Sequence, residues 1–494
     1  MQGLSLVPYP QRILEKEGHT SAVACVIEQE VNTMSPEAYS LKISEGEIHI
    51  EGDKTGIFYA HRTLEQLKAQ FGDELPCMEI QDEPRFPHRG YMLDSSRHFL
   101  PKEDVLRIID VLALFKINRL HWHLIDDQGF RVEIKAFPKL TEIGAKRGRS
   151  HFGLVDEYKG NNGYFTQEDI REVVAYAKER MIEIIPEIEI PGHETAMLAA
   201  YPEIGCGNEP VQVETKGGIF DKLICVGREE SFDFVCRILD ELTELFPYEM
   251  IHIGGDEACK RRWRVCPDCQ RKIRELSLKD ENALQQWFVV RVQEYLKQKG
   301  KTAIVWNDSL RGEKLPEDFV VQMWMGDKEL ITDFAARGGR IIQASTECHY
   351  LDYPYGIWDV SKILNTEVCP DYLEEEAIIG VECPLWMERV TDTDRLFHLM
   401  LPRLPAMAET GWTAKSARDN DSFCERYAGI AEYLKAQGVC GAPREYWNIS
   451  PELASRELEE HHKTWYTPEN QIEFAKQEEM MAVEREIYGD ERGE

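Results

Sequence analysis

The chain has 494 residues, 43% of them hydrophobic and 30% charged, with a formal net charge of −31 at pH 7. That composition supplies a large core, and that charge excludes nucleic acid and anionic membrane as partners, since both require a basic face. No stretch approaches the roughly 18 consecutive apolar residues of a bilayer-spanning helix.

The opening residues, MQGLSLVPYPQRILEKEG, lack the basic-then-apolar pattern of a secretion signal. Thirteen cysteines, an odd number scattered over the chain, suit reduced thiols. A cytoplasmic location is therefore expected, with a mature secreted form as the alternative. Residues 1–84 read as a small α+β domain. AYSLKISEGEIHIEGD alternates with period two around a glycine, and GIFYAHRTLEQLKAQF places Ile57, Ala60, Leu64 and Leu67 at helical spacing. Pro84 and Pro87 punctuate its end.

Residues 85–415 carry a strand-then-helix rhythm. The strand-like stretches are HRGYMLD, NRLHWHLID, IEIIPEIEIP, YEMIHIGG, TAIVWND, FVVQMWMG, RIIQAST and IIGVECPLW. Amphipathic segments such as TQEDIREVVAYAKERM and ESFDFVCRILDELTELF separate most of them, and TDTDRLFHLMLPRLPAMAETGW follows the eighth. Near-continuous apolar strands alternating with such helices predict a parallel sheet covered by helices. Eight units over this length predict a (β/α)8 TIM barrel. An open doubly wound sheet is the rival, but no Gly-rich phosphate turn follows the first strand. Residues 416–494 are charged and helical in pattern. They are expected to form a helical C-terminal extension that packs on the barrel, makes an oligomer contact or frays. One cysteine group, Cys259, Cys266 and Cys269 in CKRRWRVCPDC, suggests zinc. A fourth ligand is not evident locally and the usual second Cys-x-x-Cys is missing, so a turn or helix-start cluster is expected and no metal site is assigned.

Barrel enzymes place their chemistry at the C-terminal ends of the strands. There the sequence puts Asp94, Arg97 and His98 (first strand), His121, His123, Asp126 and Asp127 (second), and Glu187, Glu189 and His193 (third). Next come Asp256 and Glu257, Trp306 and Asp308, Trp324, Tyr350 and Asp352, and Trp386 and Glu388. Tryptophans and a tyrosine at one mouth suit the flat faces of a sugar ring. Carboxylates and an arginine suit its hydroxyls, and a central carboxylate pair suggests glycosidic cleavage. A second reading, a metallohydrolase held by His121, His123 and Asp126, leaves the tryptophans and the Asp256–Glu257 pair without a role.

The blocks LDSSRHFLP, LHWHLIDDQGFRVEI, IPEIEIPGH, HIGGDEA, YLD and LWMERV...PRLPAMAE together resemble glycoside hydrolase family 20, the β-N-acetylhexosaminidases, over residues of about 5 to 415. The resemblance implies an exo-acting, retaining hydrolase that needs neither metal nor cofactor. Its substrate would be a carbohydrate ending in β-linked N-acetylglucosamine or N-acetylgalactosamine. The substrate's own acetamide would be the nucleophile, through an oxazolinium intermediate. Asp256 would orient the acetamide, Glu257 would be the general acid/base with a raised pKa, and Tyr350 would bind the acetamido carbonyl. Asp126 and His193 would form a proton relay to Glu257. Trp306, Trp324 and Trp386 would wall the pocket, and Arg97, Asp352 and Glu388 would bind the outer hydroxyls. Glu189 and Asn307 depart from the family's usual residues. A disaccharide-releasing member of the family and an inactive sugar-binding barrel are the alternatives.

Overall fold

The computed structural model describes residues 3–152, 155–157, 161–465 and 468–488. Eight parallel strands close into a barrel. In chain order they are His88–Asp94, Arg119–His123, Glu183–Glu187, Met250–His252, Thr302–Trp306, Val320–Met323, Arg340–Gln343 and Ile378–Leu385. The last pairs with the first, Leu385 opposite Leu93. The first strand is buried along its whole length, as expected of a strand covered on both faces.

Side-chain alternation along the strands stacks the interior in layers. Ile185, Met250, Ile304, Val320 and Ile342 form an apolar floor. Two residues further along the same faces stand Glu187, His252, Trp306 and Gln322, all buried. The barrel is thus dry below and polar towards the mouth.

The covering helices follow their apolar stripes. Gln167–Glu179 begins with a capping box between Thr166 and Asp169, which satisfies two amides left open by helix geometry. The helical pattern after the eighth strand is divided into Thr393–Met400 and Arg403–Trp412. Pro402 between them lacks an N–H and crowds the preceding turn.

In the small domain a five-stranded sheet runs in the order Arg12–Ser21, Glu74–Asp82, Tyr39–Ser44, Glu47–Gly52, Cys25–Glu30. Helix Lys54–Phe71 packs on it through Tyr59, Ala60, Leu64 and Leu67, and Trp412 of the barrel completes that core. Asp82 ties the two bodies together, accepting from Tyr39 Oη (2.6 Å), Lys116 Nζ (2.8 Å) and Trp412 Nε1 (2.7 Å).

The C-terminal extension packs on the barrel's own loops. Helix Pro451–Trp465 lies over the loops after the seventh and eighth strands: Glu457 accepts from the Gly356 amide (3.1 Å) and His461 Nδ1 meets Arg389 Nη1 (2.9 Å). Helix Pro468–Tyr488 lies over the loops after the third and fourth. Its Glu473 pairs with Lys216 (3.1 Å) and its Glu484 with Arg264 (2.7 Å). Among the described residues no helix is long and apolar enough to cross a membrane.

Candidate active site

The fourth strand ends in His252-Ile253-Gly254-Gly255-Asp256-Glu257. Gly254 and Gly255 have φ of +65° and +100°, and Glu257 itself has φ of +45°, a left-handed conformation rare outside glycine. Gly254 is also required by space, since a Cβ there would lie 1.7 Å from Glu189 Oε2. The tight left-handed turn swings both acids over the mouth. One ligand atom each from Asp256, Glu257 and His193 lies within 4.8 Å of the other two.

His193 also adopts a positive φ, +51°. Its Nε2 is 3.4 Å from Glu257 Oε2 and 3.9 Å from Asp256 Oδ2. On its other side Nδ1 is 3.1 Å from Asp127 Oδ2 and 3.4 Å from Asp126 Oδ1. The expected relay thus gains a residue: Asp127 makes the shorter contact, and it is itself fixed by the Thr195 amide (2.9 Å) and hydroxyl (2.6 Å). Asp126 turns mainly to Arg97 Nη2 (2.7 Å) and His123 Nε2 (3.0 Å). Burial works against a charge on His193, but Asp126, Asp127 and Glu257 more than offset it and hold its pKa well above the ordinary value. His193 is a cation at neutral pH.

Within the pair, the displaced titration is that of Asp256. Asp256 is the deeply buried member, and burial first, then Asp308 and Glu257, push its carboxyl up to about 8 against the opposing pull of His193. The Glu257 side chain is 30% exposed, because the left-handed turn carries it towards the rim. Among the described residues, no donor reaches Asp256 Oδ1.

Aromatic side chains form a continuous wall beside these acids. Trp386 lies 6.2 Å from Trp306 and 6.2 Å from Tyr350, whose ring stacks on Trp324 at 6.5 Å and 20°. Two of the indole orientations have visible causes. Trp306 Nε1 donates to Glu187 (2.9 Å) and Trp324 Nε1 donates to Asp308 (2.8 Å). Asp308 therefore does two things: it fixes Trp324 and repels charge on Asp256.

Asp352 and Glu388 stand together beside Trp386. Burial, then Glu388, raises Asp352 to about 7; burial, then Asp94, raises Glu388, with Arg97 and Arg389 opposing. Both side chains keep a wet edge yet are otherwise enclosed by protein. Arg97 is held by Gln128 (2.8 Å), Asp94 (3.2 Å) and Asp126, with its guanidinium 5.0 Å from the Trp386 ring. A cavity of about 440 Å³ bounded by Asp352, Trp386, Glu388 and Arg389 continues beneath helix Pro451–Trp465 to Glu460 and His461. The extension is part of the mouth's wall, which its charged, featureless sequence did not indicate.

The metallohydrolase reading fails on geometry. His121, His123 and Asp126 fall into three different clusters. His121 Nδ1 is 2.7 Å from Glu382 and Nε2 2.9 Å from Glu187. His123 contacts Glu187 through Nδ1 and Asp126 through Nε2. Each of these ring nitrogens lies against a carboxylate, within 3.0 Å.

Comparison with known proteins agrees with the resemblance. The profile described as "Glycosyl hydrolase family 20, catalytic domain" matches residues 86–415, and "Glycosyl hydrolase family 20, domain 2" matches residues 4–83. A β-hexosaminidase of Porphyromonas gingivalis is 35% identical over 430 residues, covering 82% of this chain; this chain spans 54% of that protein's length. A β-hexosaminidase of Akkermansia muciniphila is 33% identical over 448 residues, covering 87% of this chain and 90% of the relative. Among solved structures, an exo β-N-acetylglucosaminidase of Vibrio harveyi in complex with N-acetylglucosamine superposes with a TM-score of 0.79 at 30% identity. That match covers 89% of this chain and 78% of the other.

Proposed function

The chain belongs to glycosyl hydrolase family 20, and on that premise we propose that it is an exo-acting β-N-acetylhexosaminidase. It removes terminal β-linked N-acetylhexosamine from glycans or glycoconjugates with retention, using the substrate's acetamide as nucleophile. The observation that carries this reading is the close grouping of Asp256, Glu257 and His193 within 4.8 Å. An inverting hydrolase separates its carboxyls by ~6.5–9.5 Å to admit water. Neighbours on one strand end, sharing one histidine, also cannot take opposite faces of a sugar as acid and carboxylate nucleophile. They can act side by side on the leaving oxygen and the acetamide, which is the substrate-assisted route.

The proton inventory supports the division of labour. In the free site the pair keeps a proton on the buried Asp256. An acetamide N–H arriving at Asp256 favours its anion, so the proton moves to the rim, where Glu257 delivers it to the leaving oxygen. His193, cationic and braced by Asp127 and Asp126, steadies the resulting negative charge on the pair. Tyr350 donates to the acetamido carbonyl as the carbonyl oxygen attacks the anomeric carbon. Water, deprotonated by Glu257, then opens the oxazolinium ion. Trp306, Trp324 and Trp386 enclose the ring, while Asp352 and Glu388 take its outer hydroxyls.

The test is hydrolysis of 4-nitrophenyl β-glycosides of N-acetylglucosamine and N-acetylgalactosamine, with the first-formed anomer read by proton NMR. β-Product is expected; α-product overturns the mechanism, and saturable sugar binding without turnover overturns the activity in favour of an inactive barrel. One observation favours a second reading, a disaccharide-releasing specificity: the cavity of about 440 Å³ adjoining Asp352 and Glu388 has room beyond a single sugar. Turnover of a 4-nitrophenyl disaccharide with intact disaccharide as product decides for it.

A further inference from the structure

Cys266 and Cys269 do belong to a cluster, but its other half comes from elsewhere in the chain. The Sγ atoms of Cys206 and Cys269 are 3.8 Å apart, those of Cys225 and Cys266 3.7 Å, and those of Cys225 and Cys269 3.8 Å. All four sulfurs lie within 4.8 Å of one another, and all four residues are buried. Cys259, the third cysteine of the sequence motif, stands apart, with its Sγ 3.6 Å from Glu484 Oε1. We propose that Cys206, Cys225, Cys266 and Cys269 bind one structural zinc ion as four thiolates, joining the loop after the third barrel strand to the loop after the fourth.

The distances are those a metal requires. A tetrahedral zinc with Zn–S of ~2.3 Å holds its sulfurs ~3.8 Å apart, whereas a disulfide brings two sulfurs to ~2.05 Å. A single pair of buried thiols in contact would also sit near this separation, so the pairwise distance alone decides little. What distinguishes the site is four buried sulfurs, from three separate chain segments, all within 4.8 Å of one another. Cys266 is the N-cap of helix Pro267–Leu276 and Cys269 lies in its first turn. That is how a Cys-x-x-Cys pair turns both sulfurs to one side. Four thiolates and no open position make a closed, structural site, and all-sulfur tetrahedral coordination selects zinc among the common divalent ions.

The surrounding chain is shaped to hold the convergence. The Cys225 amide donates to Ile204 O (2.8 Å), and the neighbouring Gly205 and Ile224 form a β-bridge, so Cys206 and Cys225 are locked side by side. Trp263 Nε1 donates to Ile224 O (3.0 Å), fixing the fourth-strand loop against them. Gly227 lets the Cys225 segment cross the start of helix Pro267–Leu276, where a Cβ would come within 2.4 Å of the Asp268 backbone. A zinc ion with four thiolates carries two net negative charges, and the Arg228 guanidinium lies beside Cys225 to offset them. One of the joined loops bears His193 and the other bears Asp256 and Glu257. The ion therefore acts as a positioning element for the 3.4 Å contact between His193 and Glu257, at a distance from the chemistry.

The experiment does not depend on hydrolytic activity. Protein purified without chelator is expected to contain one equivalent of zinc by plasma mass spectrometry. Titration with a mercurial should release that zinc to a chromogenic chelator as four thiols are consumed. Cobalt-substituted protein is expected to show the visible bands of tetrahedral thiolate coordination. Cys225→Ala and Cys269→Ala should lose the metal, while Cys259→Ala keeps it. If the first two variants do not fold, the mercurial and cobalt measurements on the unaltered chain still decide. Zinc well below one equivalent after refolding with zinc, iron in its place, disulfides among these four residues, or loss of metal in Cys259→Ala each overturns the proposal.

Discussion

Two sets of buried charges lie one above the other in the barrel and are built in opposite ways. In the lower set every acid has histidine partners. Glu187 meets His121 (2.9 Å), His123 and His252 (2.7 Å), and Glu382 meets His121 (2.7 Å) and His88 (3.2 Å). Despite burial, the histidines hold Glu187 and Glu382 well below the usual carboxylate range, and the acids in turn lift His121 to about 9 and His123 to about 10. In the upper set acids outnumber cations: Asp256, Glu189, Asp352 and Glu388 are all raised, with burial the first cause in each. Asp256 Oδ1, Glu189 Oε2 and Asp352 Oδ1 have no donor among the described residues. A network whose acids are matched by histidines fixes geometry, whereas acids left without donors keep hydrogen-bond capacity for something that arrives. The lower layer holds the strands in register beneath a mouth whose polar demand is left for a ligand.

The comparison breaks most visibly at Glu257. Glu257→Gln removes the transferable proton and changes little else, because the side chain sits at the rim. A fall of ~10²–10⁴ in kcat on a 4-nitrophenyl glycoside is expected, with an unchanged melting temperature; near-normal turnover would contradict the assignment. The lower layer should respond in reverse. Glu187→Gln leaves His121 and His123 without their shared counter-charge in a dry interior. A loss of ~3–5 kcal/mol is expected, as when one partner of a buried pair is removed, measured by denaturant unfolding. The wild-type network has its own pH window. The acids contribute stability above the ordinary range near pH 4.5, and it is lost on acidification. The raised histidines contribute fully below pH 6.5, and that share disappears as pH passes about 9 to 10.

The barrel was legible because its strands are apolar runs and its helices amphipathic, and those periods survive without knowledge of partners. The strand-end acids were legible because a barrel collects all eight strand ends at one mouth. What escaped the sequence depended on rotation or distance. Asp126 and Asp127 are neighbours that both reach His193 Nδ1, and how they share it is set by the turn in which Asp126 pairs with Gly129, not by residue type. Cys206 and Cys225 are isolated cysteines, and only the bridge between Gly205 and Ile224 brings them to Cys266 and Cys269. Glu484 and His461 find partners in loops far back in the chain, so the sequence left packing on the barrel as one of three destinations for the extension.

Asp256 sharpens the contrast through stability. Its carboxyl is raised from 3.8 to about 8, so the folded protein keeps a proton that the unfolded chain gives up above pH 4. Stability from this residue is complete below that range and is lost as pH rises to about 8. Asp256→Asn carries no such penalty. Its unfolding free energy should gain on wild type by up to about 1.4 kcal/mol per pH unit across that window, then run parallel above it, while activity collapses. A melting-temperature gap that does not widen between pH 5 and 8 would place the burden elsewhere.

Asp352→Asn is the smallest of these effects and the one that isolates a single hydroxyl contact. Asp352 is raised to about 7, so below that pH it is a neutral acid and above it an anion. An anion accepts from a sugar hydroxyl with roughly 1.5–3 kcal/mol, about 10- to 100-fold in kcat/KM, whereas a neutral carboxyl and an amide differ little. The wild-type to variant ratio of kcat/KM should therefore be near one at pH 5.5 and climb towards that factor by pH 8. Because it is a ratio, the titration of Asp256, common to both proteins, cancels. A ratio that is large and flat with pH would mean that Asp352 binds already ionised, and the upper layer would then be less starved of cations than its geometry implies.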